Sequence, residues 1–346
     1  MKLAMQLTLG QGFAKAAQLV VELEKVGLDV VWVPEAYGPD APSFMGYLAA
    51  RTEKVEIGAG IVNVYSRTPT LLAMTAAGID SLSEGRCILG LGASGPAVIE
   101  GFHGMSYDRP VTRTREAIEI CRSVWAREET LVHDGAVYQI PLPVGSGGTG
   151  LGKPLKLIGR PRRPNIPIWV ASMGDKNVAM TAEVAEGWLP PWFLPDKVAD
   201  VFGPALKEGT SKRAPMLGQL QIAAGGILAL GEESEVAHLR EQGRAAAALY
   251  IGGMGARGKN FYNTLVSRYG YDKEAQEIQD LYLDGKKDEA AAKVPAELME
   301  AMSLCGPEAY IKDRIAAYCE AGVTQLNISP VGIDPVALID KVRSWL

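Results

Sequence analysis

Three side chains in this sequence have the chemistry to move a proton, and each stands in a loop that follows an apolar run: Glu35, His103 and Tyr107. Glu35 comes directly after the run Leu28–Pro34, with Tyr37 and Asp40 behind it. A carboxylate there can exchange a proton with a substrate or hydrogen-bond a cofactor ring. Its plainer role is to cap a helix beginning near Ser43. His103 and Tyr107 share an aromatic loop with Phe102. An imidazole can act as acid or base near neutral pH, although a lone histidine serves structure as readily.

Small residues mark three further loops. Gly58-Ala59-Gly60-Ile61-Val62-Asn63 would let backbone approach a flat ligand, or would simply relieve crowding in a buried strand. Ala93-Ser94-Gly95-Pro96 ends the next apolar run. Ala171-Ser172-Met173-Gly174-Asp175 leads straight into a helical stretch. The free N–H groups and positive dipole end of such a helix suit a phosphate, and ordinary capping by Ser172 or Asp175 is compatible with that.

Gly90, Gly92 and Gly95 spell G-x-G-x-x-G, which invites a dinucleotide reading. The context opposes it. A Rossmann fingerprint needs a second strand within a unit of about thirty residues, whereas here an aromatic loop leads into the helical stretch Thr112–Trp125. The glycines fit better as one strand of a parallel barrel and its C-terminal loop, the end at which such barrels carry their chemistry.

The elements needed to position these groups recur as strand, loop and helix. Strands are expected at Leu3–Thr8, Asp29–Val33, Val55–Ile61, Arg86–Leu91, Ile166–Ala171, Gly187–Leu189, within Leu217–Ala224, and at Thr324–Ser329. Helices are expected at Phe13–Val26, near Ser43–Arg51, from Thr68-Pro69 onward, and at Thr112–Trp125, Asp175–Glu186, Gly306–Cys319 and Pro335–Leu346. The helix count around the seventh strand stays ambiguous. Repetition of this kind predicts an α/β fold, a (β/α)₈ TIM barrel, formed by one domain over residues 1–346. Two insertions interrupt it, at about 130–165 and 232–305; the first is rich in Gly and Pro, the second helical.

Composition removes other classes. A net charge of −5 disfavours nucleic-acid partners. No stretch approaches the roughly 18 apolar residues of a membrane span. The start MKLAMQLTLG lacks the basic and long apolar regions of a signal peptide, so the cytoplasm is the expected compartment. Cys87, Cys121, Cys305 and Cys319 sit in apolar patterns without a C-x-x-C, which favours reduced thiols. His103, His133 and His238 share no metal-ligand spacing, so no metal is expected. GSGGTGLGKP resembles a P-loop, but Pro154 stands where Ser or Thr would bind magnesium. Beside it Lys153, Lys156, Arg160, Arg162 and Arg163 would either attract an anionic ligand tail or form a solvated loop. Arg257 and Lys259 pose the same choice.

The segments VWVPEAYGPDA, GYLAARTEKVEIGAGI, RTPTLLAMTAAGIDSLSEGR, LGLGASGPAVIEGFHG, WVASMGDKNV and GGMGARGKNFYNTLVSRYGY, in this order, resemble the bacterial-luciferase-like superfamily. Within it the chain is most similar to coenzyme F420-dependent oxidoreductases of mycobacterial type. The resemblance implies a deazaflavin at the barrel mouth, with Glu35 near the reactive ring and Gly60-Ile61 at a bulge that often carries a non-prolyl cis peptide. Gly60, Ile61, Asn63, Ala93, Ser94, Gly95 and Pro96 would line the cofactor. Ala171, Ser172, Met173, Gly174 and Asp175 would meet its phosphate. It further implies hydride transfer to or from a small-molecule substrate, with Glu35 orienting the ring or relaying a proton, and a homodimer; His103 and Tyr107, read from the residues alone, are the weaker catalytic candidates. FMN-dependent monooxygenation and a non-catalytic cofactor-binding role are the alternatives. Related sugar-phosphate dehydrogenases follow the acidic residue with a histidine; here that position is Ala36, which argues against their reaction.

Overall fold

Parallel strands close into a barrel in the computed structural model, which describes residues 1–8, 12–332 and 334–346. Strands β1 (Lys2–Gln6), β2 (Val30–Val33) and β3 (Glu56–Ala59) pair in order. The chain then breaks at Gly60 and resumes as the two-residue β4 (Val62–Asn63), and β3 and β4 both pair β5 (Cys87–Gly92). A small antiparallel hairpin, β6 (His133–Asp134) and β7 (Gln139–Ile140), interrupts the series. It continues through β8 (Ile168–Ala171), β9 (Gly187–Trp188) and β10 (Gln221–Ala224). Beyond these lie β11 (Ile227–Leu230), β12 (Ser303–Gly306) and β13 (Gln325–Pro330), and β13 joins β10 to β1 and so closes the ring.

Amphipathic helices shield the outside. α1 (Phe13–Lys25) buries Ala16, Ala17, Val20 and Leu23. Asp40 accepts the Ser43 N–H at the start of α2 (Ala41–Arg51), so the capping considered for Glu35 falls mainly to Asp40. Thr68 caps α3 (Pro69–Leu82), with Pro69 at the position where a missing N–H costs nothing. The short α4 (Pro96–Ile99) and long α5 (Pro110–Ala126) follow β5. α6 (Asp175–Val184) packs on α7 (Val198–Ser211), where Gly209 lets the helices touch: a Cβ there would lie 2.1 Å from the Ala179 carbonyl. α7 is absent from the sequence reading because Gly203, Pro204 and Gly209 disguise its helical period.

The barrel interior is filled by two indoles matched to two glycines. Trp32 and Trp169 meet with ring centroids 5.2 Å apart. A Cβ on Gly58 would lie 2.4 Å from Trp32, and one on Gly187 2.0 Å from Trp169. The G-x-G of β5 has a related origin. A Cβ at Gly90 would stand 1.7 Å from the Ala59 carbonyl oxygen, and one at Gly92 would stand 2.8 Å from the Ile61 side chain. These glycines admit the bulge between β3 and β4, and no nucleotide is needed to explain them.

Both insertions differ in detail from expectation. Residues 141–163 form a strap across α3 that ends at the N-terminal end of β5, where Arg163 pairs with the buried Asp80 and donates to the Cys87 carbonyl. Arg162 faces Glu84 in the same region. Arg162 and Arg163 therefore lie at the barrel end opposite the mouth, which removes them from the anionic-tail reading. At the head of the strap, Glu116 accepts backbone N–H groups of Ala136, Val137 and Tyr138, which hold its carboxyl below the usual range although burial pushes it up.

The second insertion is not wholly helical. β10 bends at Gly225-Gly226 and continues as β11, which pairs β12 and the far end of β13. Between β11 and β12 come α8 (Glu233–Glu241), α9 (Arg244–Ala248), a single π-helical turn Leu249–Gly253, α10 (Phe261–Arg268), α11 (Asp272–Leu283), α12 (Lys287–Ala292) and α13 (Ala296–Ala301). α14 (Glu308–Glu320) and α15 (Pro335–Arg343) complete the shell. No helix among the described residues is long and apolar enough to cross a membrane.

Gly90→Ala should cost about 3 kcal/mol or more, because the added methyl collides with backbone rather than with a movable side chain. Gly46→Ala in α2, where nothing lies within 4 Å of the new Cβ, should stabilise by about 0.5–1 kcal/mol. Urea unfolding of both variants checks the pair.

Candidate active site

Register brings the expected segments to one rim. Val33 on β2 stands opposite Ala59 on β3. Gly92 is matched to Asn63 on one side and Ala171 on the other. The loops trailing Val33, Ile61, Leu91 and Ala171 thus leave neighbouring parallel strands at the same end of the barrel. The Gly60–Ile61 peptide is cis, as the resemblance implies, and the Gly60 carbonyl accepts from Gln6 Nε2 at 3.4 Å.

The carboxylate of Glu35 is buried and fully engaged. Arg67 binds it with both terminal nitrogens, at 2.8 and 2.7 Å, and the Ala41 N–H adds a third contact at 3.1 Å. Arg67 also reaches Asp40 at 2.6 Å. Its guanidinium consequently holds its proton more firmly than usual, with the Glu35 hydrogen bonds as the largest cause. Asp40 is pulled below its ordinary range by Ser43 and Arg67 against the opposing effect of burial. The sequence reading missed Arg67. The available signal was a basic residue just past the bulge, on the rim that carries Glu35.

His103 and Tyr107 have different surroundings. His103 Nε2 lies 3.5 Å from Asn63 Nδ2, and the ring is half-buried. Asn63 itself is held by accepting the N–H groups of Tyr65 and Ser66 at 3.0 and 2.7 Å. This places an imidazole beside the bulge with a ring nitrogen close to an amide that β4 keeps fixed. Tyr107 stacks on Tyr65 with centroids 5.3 Å apart and donates its hydroxyl to the Ser94 carbonyl at 3.3 Å. Burial raises its phenol. Tyr107 therefore supports the Ala93–Pro96 loop, where Ser94 takes a positive φ of 56°.

Ala36 and Trp192, in the loops after β2 and β9, also take positive φ, at 49° and 46°. Such conformations are uncommon in non-glycine residues and tend to gather at functional sites.

At the start of α6, Ser172 is buried and bonded to Thr181 at 2.9 Å, while its carbonyl accepts from Trp188 Nε1. Gly174 is exposed, with open space where a Cβ would stand. Asp175 pairs with Arg268 at 2.9 Å. Asn177 Oδ1, one turn into the helix, is buried without a partner. The first N–H groups of a helix have no partner within it, so this terminus offers donors, a glycine cradle and an unsatisfied polar atom. These features fit the phosphate of a cofactor at the rim that carries Asn63, Gly92 and Ala171. Gly95, at that rim, also has open space at its Cβ position. Phe193, next to Trp192 in the loop after β9, belongs to the core, packed on Trp188 and Tyr318.

Residues 1–325 match the luciferase-like monooxygenase family. The chain belongs to that family. It is 38% identical over 333 residues, 95% of each chain, to a Mycobacterium tuberculosis protein whose assignment as a coenzyme F420-dependent oxidoreductase is itself an inference. It is 26% identical to 5,10-methylenetetrahydromethanopterin reductase of Archaeoglobus fulgidus, covering 90% of this chain and 88% of that one. Two solved structures share the fold. The coenzyme F420-dependent tetrahydromethanopterin reductase of Methanopyrus kandleri superposes with a TM-score of 0.77 at 23% identity, covering 99% of this chain and 96% of that chain. An F420-dependent secondary alcohol dehydrogenase, solved with an F420-acetone adduct, gives 0.75 at 19% identity, covering 100% and 98%. In this luciferase-like barrel the predicted site segments form one contiguous rim.

Removing one partner of a buried, bidentate pair leaves the other charge uncompensated. Glu35→Gln should therefore lower stability by about 3 kcal/mol, tempered by Asp40. The double variant Glu35→Gln/Arg67→Met should recover at least about 1 kcal/mol relative to the sum of the single changes. Chemical denaturation of the four proteins in the cycle reads this coupling directly.

Proposed function

We propose that this chain is a coenzyme F420-dependent oxidoreductase, transferring a hydride between the deazaflavin and a small carbonyl compound or activated alkene, or the corresponding alcohol. The relatives named above support the cofactor. The observation that carries the reading is the alignment of Asn63, Gly92 and Ala171 beside an open α6 terminus. The bound deazaflavin would supply two-electron hydride chemistry; the barrel supplies placement, exclusion of water and handling of the proton.

Residues Gly60, Ile61, Asn63 and Ala93–Pro96 would border the ring, and Ala171–Asp175 its phosphate. His103 is the group we assign to proton exchange with the substrate, because its ring nitrogen is 3.5 Å from the amide of Asn63 beside the bulge. Glu35, held by Arg67 and the Ala41 N–H, is a positioning carboxylate that fixes the loop after β2 to the loop after β4. Tyr107 positions Ser94 through its hydroxyl. We infer that the chain works as one unit in the cytoplasm, where its four unpaired thiols would stay reduced.

A second copy of the chain is the proposed partner. Support comes from the outer face of α3, which exposes Leu71, Met74 and Leu82, with Ile158 of the strap beside Met74. Such an apolar patch favours burial against another surface. Ile158 is 99% exposed, so Ile158→Asp should leave folding intact and shift sedimentation from dimer toward monomer. A wild-type monomer at micromolar concentration would overturn this.

Titration of the pure protein with F420 and with FMN, followed by fluorescence quenching, tests the cofactor. Tighter binding of FMN with oxygen consumption would replace this reading by a monooxygenase. His103→Gln should reduce turnover about a hundredfold or more while leaving F420 affinity within about threefold. F420 binding without turnover of any carbonyl, alkene or alcohol would support the non-catalytic alternative.

A further inference from the structure

Above the Asn63–His103 pair stands a set of aromatic rings that the cofactor and proton roles leave unused. Phe102 meets His103 edge-on at a centroid distance of 5.2 Å and has Tyr37 beside it at 6.3 Å. Tyr37 is 61% exposed and Phe102 65%. On the other side Trp192, Tyr250 and Tyr262 interlock, with centroids 5.8 Å apart for Trp192–Tyr250, 5.1 Å for Trp192–Tyr262 and 4.7 Å for Tyr250–Tyr262. In the closed ring β2 and β9 stand on opposite sides, so the loops that carry Tyr37 and Trp192 leave the barrel across the mouth from each other.

The construction is specific. Tyr250 lies on the π-helical turn, which Gly252 and Gly253 press against Tyr282; a Cβ on either glycine would come within 2.5 Å of that side chain. π-helical turns are rare and concentrate at functional sites. Trp192 is held by its carbonyl, which accepts from the Tyr269 hydroxyl at 2.8 Å. The loops after β2, β5 and β9 and the second insertion each contribute at least one ring.

Three arginines on the segments around this rim are already paired. Arg67 serves Glu35 and Asp40, Arg268 serves Asp175, and Arg257 serves Asp280. The five rings themselves carry no charge while their phenols stay protonated, and burial raises two of those phenols further. Such a surface recognises a flat neutral molecule through its faces, with phenol hydroxyls able to donate to a carbonyl oxygen. It offers no guanidinium fork for a phosphate or carboxylate.

We propose that the barrel mouth selects a neutral, planar, conjugated carbonyl compound, held between Tyr37 and Phe102 on one side and Trp192 and Tyr250 on the other. The inference deepens the proposed function and rests on the mouth being its reaction site.

Isothermal titration of the full chain without cofactor tests it, using 2-acetylnaphthalene, cyclohexanone and glucose 6-phosphate as probes. The planar ketone should bind at least tenfold more tightly than either other probe. Tyr37→Ala and Phe102→Ala, both at exposed positions that melting curves should show to be folded, should each weaken it about five- to tenfold. Tyr37→Phe, which keeps the ring, should stay within about threefold. Equal binding of the three probes, preference for the sugar phosphate, or unchanged affinity in Tyr37→Ala would overturn the assignment. F420 quenching is read separately: its failure alongside selective binding of the planar ketone counts against the cofactor reading alone.

Discussion

The absence of a side chain at Gly90 is the constraint on which the site depends. A strand of ordinary residues would hold β3 away from β5 by at least a methyl group; here the Ala59 carbonyl occupies that space. The chain then breaks at Gly60-Ile61 and resumes as β4, which fixes Asn63 opposite Gly92. Asn63 in turn stands beside His103 and fixes the backbone of Tyr65 and Ser66. One missing carbon therefore sets the position of the bulge, the amide and the imidazole.

Electrostatics complete what sterics begin. The Glu35–Arg67–Asp40 cluster ties the loop after β2 to the loop after β4, with two carboxylates satisfied by one guanidinium. A carboxylate engaged in this way contributes geometry more than basicity. The same economy appears behind the mouth, where the Arg113 guanidinium lies over the rings of Tyr65 and Tyr138 and binds Asp108. Both clusters join segments that are distant in sequence, so each shortens the list of conformations open to a mouth loop.

Much of this was legible in the chain itself. Continuous apolar runs such as Val30–Val33 and Cys87–Leu91 announce strands buried on both faces, and Thr68-Pro69 announces a helix start. The convergence of loops followed from parallel topology alone. Other features were opaque for identifiable reasons. α7 carries Gly203 and Pro204, which look like breakers yet lie inside the helix, while Gly209 serves its close packing on α6. β11 follows a Gly-Gly pair that reads as a turn, yet the pair bends one long strand. The engagement of Glu35 could not be read locally, because Arg67 lies 32 residues away in sequence. The arginines of the strap carried the right charge at the wrong end of the barrel, since an extended segment of that length reaches either end.

The placement of β11 and β12 has an evolutionary consequence. These two strands begin and end the helical insertion, and they are hydrogen-bonded neighbours on the edge of β13. The insertion thus departs from and returns to adjacent points, outside the ring that β10 and β13 already close with β1. Its helices form a cassette that can lengthen or shorten between two fixed, neighbouring ends without reopening the barrel.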